Sequence, residues 1–263
     1  KVSGLEHQYL KLEGRRATLQ EMDESRVGLG DAVRAVLAKR DAGEGFAGII
    51  APLADLIETD RSHASAVEAA LGVNLQALVI ESMASLPATD ELGSLGGRVV
   101  FAPLVGIGGG DRSLALSALM EENLEPGLIA SGRVTPLRSV VRLRPEAPDA
   151  GSLLDRLLGG TYLVQDLDSA LMLAAAEPGA RYVTRDGSVM EPDGRIISGP
   201  LGAGDTEGVL QRRGELAELT TEVARLGAAL EREREQLPTV DAEAAALSAH
   251  QGELRAQLAA AGA

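Results

Sequence analysis

The sequence predicts a mixed α/β (α+β) fold of two similar half-domains, flanked by an antiparallel coiled coil. Three observations carry that prediction. Apolar residues keep heptad-like spacing at both ends of the 263-residue chain, two strand–helix–strand units repeat between them, and Arg181–Gly199 reads as short strands joined by tight turns. The segments that follow are an N-terminal arm over 1–43, a globular insert over 44–207 with half-domains of about 44–125 and 126–207, and a C-terminal arm over 208–263.

In the first arm Leu5, Tyr9, Leu12, Leu19, Met22, Leu29, Val33 and Val36 recur at steps of three and four, broken at Arg16 and Arg26 and slipped near Met22. That pattern alone fits any amphipathic surface helix. The C-terminal flank decides for a coiled coil. Leu216, Leu219, Val223, Leu226 and Leu230 alternate steps of three and four among Glu and Arg, and the phase returns at Leu237, Val240, Ala244, Leu247, Leu254 and Leu258. A narrow apolar seam held over several heptads is the coiled-coil signature. Pro238 is expected to kink or interrupt that helix. Two such flanks around one insert predict an antiparallel pair within the chain. The second flank is the longer, so its tail after about residue 240 is expected to lack a partner here. The chain begins at Lys1 inside a helical pattern and is read as a piece of a longer protein.

The insert opens at Gly43-Glu44-Gly45-Phe46. Its first unit runs from an apolar strand at Leu53–Ile57 through a helix at Ala64–Leu71 and Gly72 to a strand at Leu75–Ile80. The second runs from Leu137–Val141 through a helix at about Gly151–Leu158 and Gly159-Gly160 to Tyr162–Val164, with glycine closing each helix. Arg181–Gly199 then alternates through Tyr182-Val183-Thr184, turns at Asp186-Gly187 and again at Pro192-Asp193-Gly194, and leaves through Ile196-Ile197. Proline presets φ and glycine accepts a positive φ, so Pro-Asp-Gly marks a tight turn. Short strands at the end of a sheet present unpaired N–H and C=O groups, which a second copy of the chain can pair.

Four motifs in this order, framed by heptads, resemble the hinge domain of the structural maintenance of chromosomes (SMC) family. They are Ala66–Glu81 (A-V-E-A-A-L-G-x-x-L-Q-A-L-V-I-E), Gly97–Leu104 (G-R-V-V-F-A-P-L), Leu157–Leu171 (L-L-G-G-T-Y-L-V-Q-D-L-D-S-A-L) and the V-T-x-D-G run that continues through Gly194 to Ser198-Gly199. The resemblance covers essentially the whole chain. It departs at Ser198, which takes the first place of the family's usual glycine pair, and at the following Pro200. It implies two α/β half-domains and a dimer contact at the glycine-rich run, here Gly187, Val189, Gly194, Ile196, Ile197, Ser198 and Gly199. It further implies a homodimer for a bacterial source, a role in chromosome organisation and segregation, and a cytoplasmic, nucleoid-associated location. ATPase heads would form from the ends of a longer chain, and DNA would be a partner of that whole protein.

Composition narrows the chemistry. Cysteine and tryptophan are absent and aromatics make up 2%, so the core must be aliphatic and thiol chemistry is excluded. The net charge is −14, and residues 44–207 hold 23 acidic and 11 basic side chains, a field that repels nucleic acid. Within that insert Arg133, Arg138, Arg142 and Arg144 form the one basic cluster. They are candidate DNA contacts, but without interleaved aromatics they fit ion pairing with the surrounding acids better. The histidines His7, His63 and His250 lie far apart, so no metal site is expected. None of the three lysines, Lys1, Lys11 and Lys39, follows a glycine, so there is no P-loop, and no cofactor or catalytic residue is expected. The rival reading is a small-ligand or phosphate-binding α/β enzyme whose Gly106–Ser113 loop feeds a helix N-terminus. An enzyme does not need flanking heptads. No apolar run reaches about 18 residues, so no membrane partner is expected.

Overall fold

The computed structural model describes residues 2–106, 134–145, 147–176, 179–199 and 208–261. It divides into two units, Lys1–Gln20 with Leu216–Ala263, and Glu21–Glu215. Helix α1 (Val2–Glu24) does not continue to residue 43. Arg26 and Gly28 take positive φ, 53° and 98°, which ends the helix, and α2 (Asp31–Asp41) follows. The expected arm over 1–43 is corrected accordingly. The apolar positions of α2 serve the globular unit, where Val33, Val36 and Leu37 are buried against Phe46, Ile49, Leu78 and Ile80. The expected boundary between half-domains, at about 125/126, lies outside the described residues.

The first half of the globular unit comprises β1 (Ile49–Pro52), α3 (Leu53–Leu56), β2 (Ile57–Thr59), α4 (Arg61–Leu71), β3 (Leu78–Ile80), α5 (Thr89–Gly93) and β4 (Phe101–Pro103). The second comprises β5 (Val134–Pro136), a 3-10 turn at Leu137–Val140, β6 (Val141–Leu143), α6 (Gly151–Leu158), β7 (Thr161–Val164), α7 (Leu167–Ala176), β8 (Arg181–Thr184), β9 (Val189–Met190) and β10 (Ile196–Ile197). Helix α8 (Val209–Ala261) follows. The repeat is present, with one correction made twice. Leu53–Leu56 and Leu137–Val140 are single helical turns, and the strands start only after them. Each turn follows a proline, Pro52 or Pro136, whose fixed φ suits a helix start. Four-residue segments with apolar ends, here L-A-D-L and L-R-S-V, do not distinguish turn from strand by periodicity.

Two sheets share one topology. In the order β1-β3-β4, β1 is antiparallel and β4 parallel to β3; in β5-β7-β8-β9-β10, β5 is antiparallel and β8 parallel to β7, and a β9–β10 hairpin extends the edge. The equivalent strands β2 and β6 pair with each other, Ile57 opposite Leu143 and Thr59 opposite Val141, so the halves are joined by a ladder. Side chains alternate across the sheets. Val79, Leu163, Val183 and Val189 point into a core shared by both halves, with Leu53, Val67, Leu71, Leu137, Leu154 and Leu158. Leu78 and Ile80 face α2 on the outer side, while Tyr162, Val164 and Tyr182 pack with Ala170 of α7.

In the other unit α1 and α8 pair antiparallel. Arg234 Nη2 lies 2.6 Å from Glu6 Oε1, and Tyr9 faces Gly227, while Leu19, Val223, Leu226 and Leu230 are buried. Helix α8 passes Pro238 without interruption, contrary to a break there, and every described side chain from 234 to 257 is exposed. Among the described residues no helix is long and apolar enough to cross a membrane.

Candidate functional site

The strands β8, β9 and β10 are tied by two turns that need glycine for their backbone. Gly187 N donates to Thr184 O at 3.1 Å, and Gly194 N donates to Glu191 O at 2.9 Å. Gly187, Gly194 and Gly199 have φ of 88°, 86° and 120°, the left-handed side that other residues avoid. Among the described residues, chain neighbours aside, no atom would lie within 4 Å of a Cβ at Gly194 or Gly199, so conformation rather than crowding favours glycine there. The Thr184 hydroxyl hydrogen-bonds the Asp186 carboxylate and holds it below its ordinary pKa. Asp193 is lowered likewise by Arg195, whose Nε donates to it at 2.7 Å.

The predicted contact residues separate into two groups. Ile196 and Ile197 are 45% and 53% exposed on β10, the outer strand of the larger sheet, and Gly194, Ser198 and Gly199 are exposed beside them. Ser198 Oγ sits 2.9 Å from Ser188 Oγ, which ties the end of β10 to the start of β9. Val189 is 1% exposed and Gly187 is buried, so the expectation that Val189 offers apolar surface to a partner is corrected: it belongs to the chain's own core. A second edge exists in the first half. Among the described residues β4 pairs only with β3, and Val100 and Val105 beside it are exposed, Val105 by 62%. Arg156 of the second half steadies this edge, with Nη2 donating to Pro103 O at 2.5 Å and Leu104 O at 3.1 Å.

Two of the four clustered arginines, Arg138 and Arg142, are engaged in ion pairs. Arg138 Nε lies 2.7 Å from Asp155 Oδ1, and Arg142 bridges Asp60 at 2.7 Å and Glu58 at 3.4 Å. Arg142 holds the Asp60 carboxyl below its usual range. Arg144 is half-buried just past β6 and its backbone N donates to Leu56 O at 3.0 Å. Arg133 lies outside the described residues, as does the glycine-rich loop beyond Gly106. Among the described residues no cluster of three His, Asp or Glu could hold a metal ion.

Sequence reasoning missed the root of α8. Glu68 on α4 is 3% exposed and accepts hydrogen bonds from the backbone N–H groups of Gly208 at 2.9 Å, Leu210 at 2.6 Å and Gln211 at 3.0 Å. It therefore caps the N-terminus of α8, where unsatisfied donors and the helix dipole both favour a carboxylate. Burial pushes its pKa up, against the pull of the three N–H groups. Five residues on, Arg213 is largely buried between Asp23 at 2.5 Å and Asp55 at 2.6 Å, and it also donates to Ala54 O. Burial would lower its pKa, but Asp55 and Asp23 outweigh that and raise it. A lone acid among the small apolar residues of A-V-E-A-A-L was the available signal for Glu68.

Comparison with known proteins bears on the whole arrangement. Residues 46–174 match the family model for the flexible hinge domain of SMC proteins. The chromosome partition protein Smc of Myxococcus xanthus is 33% identical over 216 residues, which cover 81% of this chain and 17% of that protein. The corresponding protein of Rhodopirellula baltica is 30% identical over 258 residues, covering 94% and 20%. The chain thus spans no more than about a fifth of the length of these curated relatives. The crystal structure of an asymmetric dimer of the Geobacillus stearothermophilus SMC hinge domain superposes with a TM-score of 0.70 at 22% identity, over 93% of this chain and 94% of that one, and so shares its fold. With the repeated half-domains, the paired arms and these likenesses in agreement, the chain belongs to the SMC family, and residues 46–174 carry its flexible hinge domain.

Proposed function

We propose that this chain is a homodimerisation hinge, joining two copies of a longer SMC protein at their arms for chromosome condensation and segregation. The observation that carries it is a pair of complementary sheet edges: β10 with half-exposed Ile196 and Ile197, and β4 flanked by exposed Val100 and Val105. Pairing β10 of one copy with β4 of the other gives the same contact twice around a two-fold axis, with backbone ladders for affinity and the aliphatic residues for burial. Gly194, Ser198 and Gly199 lie at that contact and let the second backbone approach. The module is not catalytic. ATP hydrolysis belongs to heads elsewhere in the whole protein, DNA is a partner of that protein, and its place is the cytoplasm, at the nucleoid.

Full burial of an isoleucine contributes about 1.5–3 kcal/mol, so the exposed half of each side chain contributes about 1. Four isoleucines across two contacts then contribute about 4 kcal/mol, or about a thousandfold in Kd. Ile196→Glu/Ile197→Glu removes this without disturbing a positive-φ glycine. By light scattering the wild-type chain is expected to be a dimer and the variant a monomer with unchanged circular dichroism. A variant that dimerises as tightly as wild type would refute the β10 contact.

A further inference from the structure

We propose that Arg181 positions the β10 edge for pairing, and that it does so from the same turn of α4 that holds the root of α8. The proposal rests on the dimer-edge reading above. Arg181 opens β8, and its guanidinium spans two acceptors: Nη1 donates to Ala70 O at 2.7 Å and Nη2 to Glu191 Oε1 at 2.7 Å. The Arg181 and Glu191 side chains are both largely buried, and Arg181 Nε has no hydrogen-bond partner among the described residues. Ala70 O is one of the last-turn carbonyls that α4 cannot satisfy by itself. Glu191 closes the β9–β10 turn at both ends: its N–H donates to Arg195 O at 2.9 Å and its carbonyl accepts from Gly194 N at 2.9 Å.

The hairpin needs such a hold. Its ladder is only two residue pairs long, Ile196 opposite Met190 and Ile197 opposite Val189, too short to fix its own angle. Arg181 fixes it to α4 as well as to β8. Two residues before Ala70, Glu68 takes the N–H groups of Gly208, Leu210 and Gln211. One helical turn therefore meets the edge hairpin through a carbonyl and the root of α8 through a carboxylate, with Ala69 between. A turn packed into the shared core moves as a unit, so a displacement of one partner reaches the other. Releasing either hold re-aims the free N–H and C=O groups of β10 and weakens dimerisation, although neither residue lies at the contact.

The test measures the dimer Kd of the chain by sedimentation equilibrium for wild type, Arg181→Met, Arg181→Lys, Glu68→Gln and the double variant Arg181→Met/Glu68→Gln, with circular dichroism to confirm folding. Arg181→Met is expected to weaken the dimer by about tenfold or more, and Arg181→Lys, which can reach one acceptor but not both, to restore part of that. Glu68→Gln is expected to weaken it several-fold, and the double variant to lose less than the product of the two, because both act through one turn. Wild-type Kd in folded Arg181→Met overturns the positioning role, and wild-type Kd in Glu68→Gln overturns the link to α8. Should Arg181→Met not fold, Glu191→Gln must weaken the dimer instead, and an unchanged Kd there overturns the proposal. Ile196→Glu/Ile197→Glu, run alongside, separates the failures. If it stays dimeric, the edge reading is wrong and the proposal falls with it; if it is monomeric while the Arg181 and Glu68 variants match wild type, only the positioning role falls.

Discussion

Replacing Glu68 with alanine removes the acceptor of three backbone N–H groups at the start of α8. Leu210 is fully buried, so its N–H stays dry and unpaired, a cost of about 1–3 kcal/mol. Gly208 and Gln211 are open enough for water to replace the carboxylate, so they add little. The expected destabilisation is therefore about 2 kcal/mol, read from urea unfolding of the wild-type and variant chains. Glu68→Gln isolates the charge. Burial raises the Glu68 pKa above its ordinary 4.5, so the folded state binds this proton more tightly than the unfolded state. Its contribution to stability is then fully present below about 4.5 and is lost as pH rises through the raised value. The stability of wild type relative to Glu68→Gln should accordingly fall as pH rises above 4.5. A loss below about 0.5 kcal/mol in Glu68→Ala would refute the capping argument, whereas a relative stability that rises with pH would mean that the three N–H groups outweigh burial and lower this pKa.

Three further outcomes are expected. Gly227→Ala should stabilise the chain by about 1 kcal/mol, since its Cβ would meet Tyr9 at an ordinary 3.5 Å, whereas Gly214→Ala should lose stability despite the same helix preference, because its Cβ would press on the Arg61 backbone at 3.2 Å; thermal melts of the two variants distinguish them. Cysteines at Tyr9 and Gly227 should crosslink within one chain through a short bismaleimide, while Leu12 with Leu237 or Val240 should not, because the pairs Glu6–Arg234 and Tyr9–Gly227 set Leu12 nearer Val223 and Leu226; denaturing gels read both. Duplex DNA should bind weakly and with a steep salt dependence, and Arg138→Glu/Arg142→Glu should change that affinity little, since both arginines are occupied by Asp155, Asp60 and Glu58; tight binding abolished in that variant would reverse the ion-pair assignment.

The legible parts of the fold were those with a period or a turn signature. The helix at Gly151–Leu158, the strand at Tyr162–Val164 and the α8 heptads from Val223 to Leu230 stand where spacing puts them, because each buries one face or both; of the strand expected over Leu75–Ile80 only Leu78–Ile80 is strand, since Gly72–Gln76 forms a 3-10 turn. Leu53–Leu56 (L-A-D-L) and Leu137–Val140 (L-R-S-V) were misread because a four-residue segment with apolar ends satisfies a turn and a strand equally. The first arm was drawn too long because Val33, Val36 and Leu37 have helical spacing whether they face another helix or a sheet. Ile196 and Ile197 were legible as an edge, since a terminal hairpin leaves one side unpaired. Val189 was not, because its orientation depends on the neighbouring strand and not on its own segment. Glu68 and Arg181 were illegible for a related reason. Their partners lie 140 and 111 residues away, at Gly208 and Ala70, and no local pattern carries that distance.

The shared core has a consequence for how the molecule fails. Val79 from one half and Leu163, Val183 and Val189 from the other line the same interior, and β2 pairs with β6 across the division. Neither half encloses an interior of its own on that side. Cutting the chain between the repeats should therefore yield two pieces that are each unstructured alone and regain helix and sheet only when mixed. In the intact chain, heat should melt Glu21–Glu215 in one transition, with calorimetric and van't Hoff enthalpies equal, however clearly the sequence divides it in two.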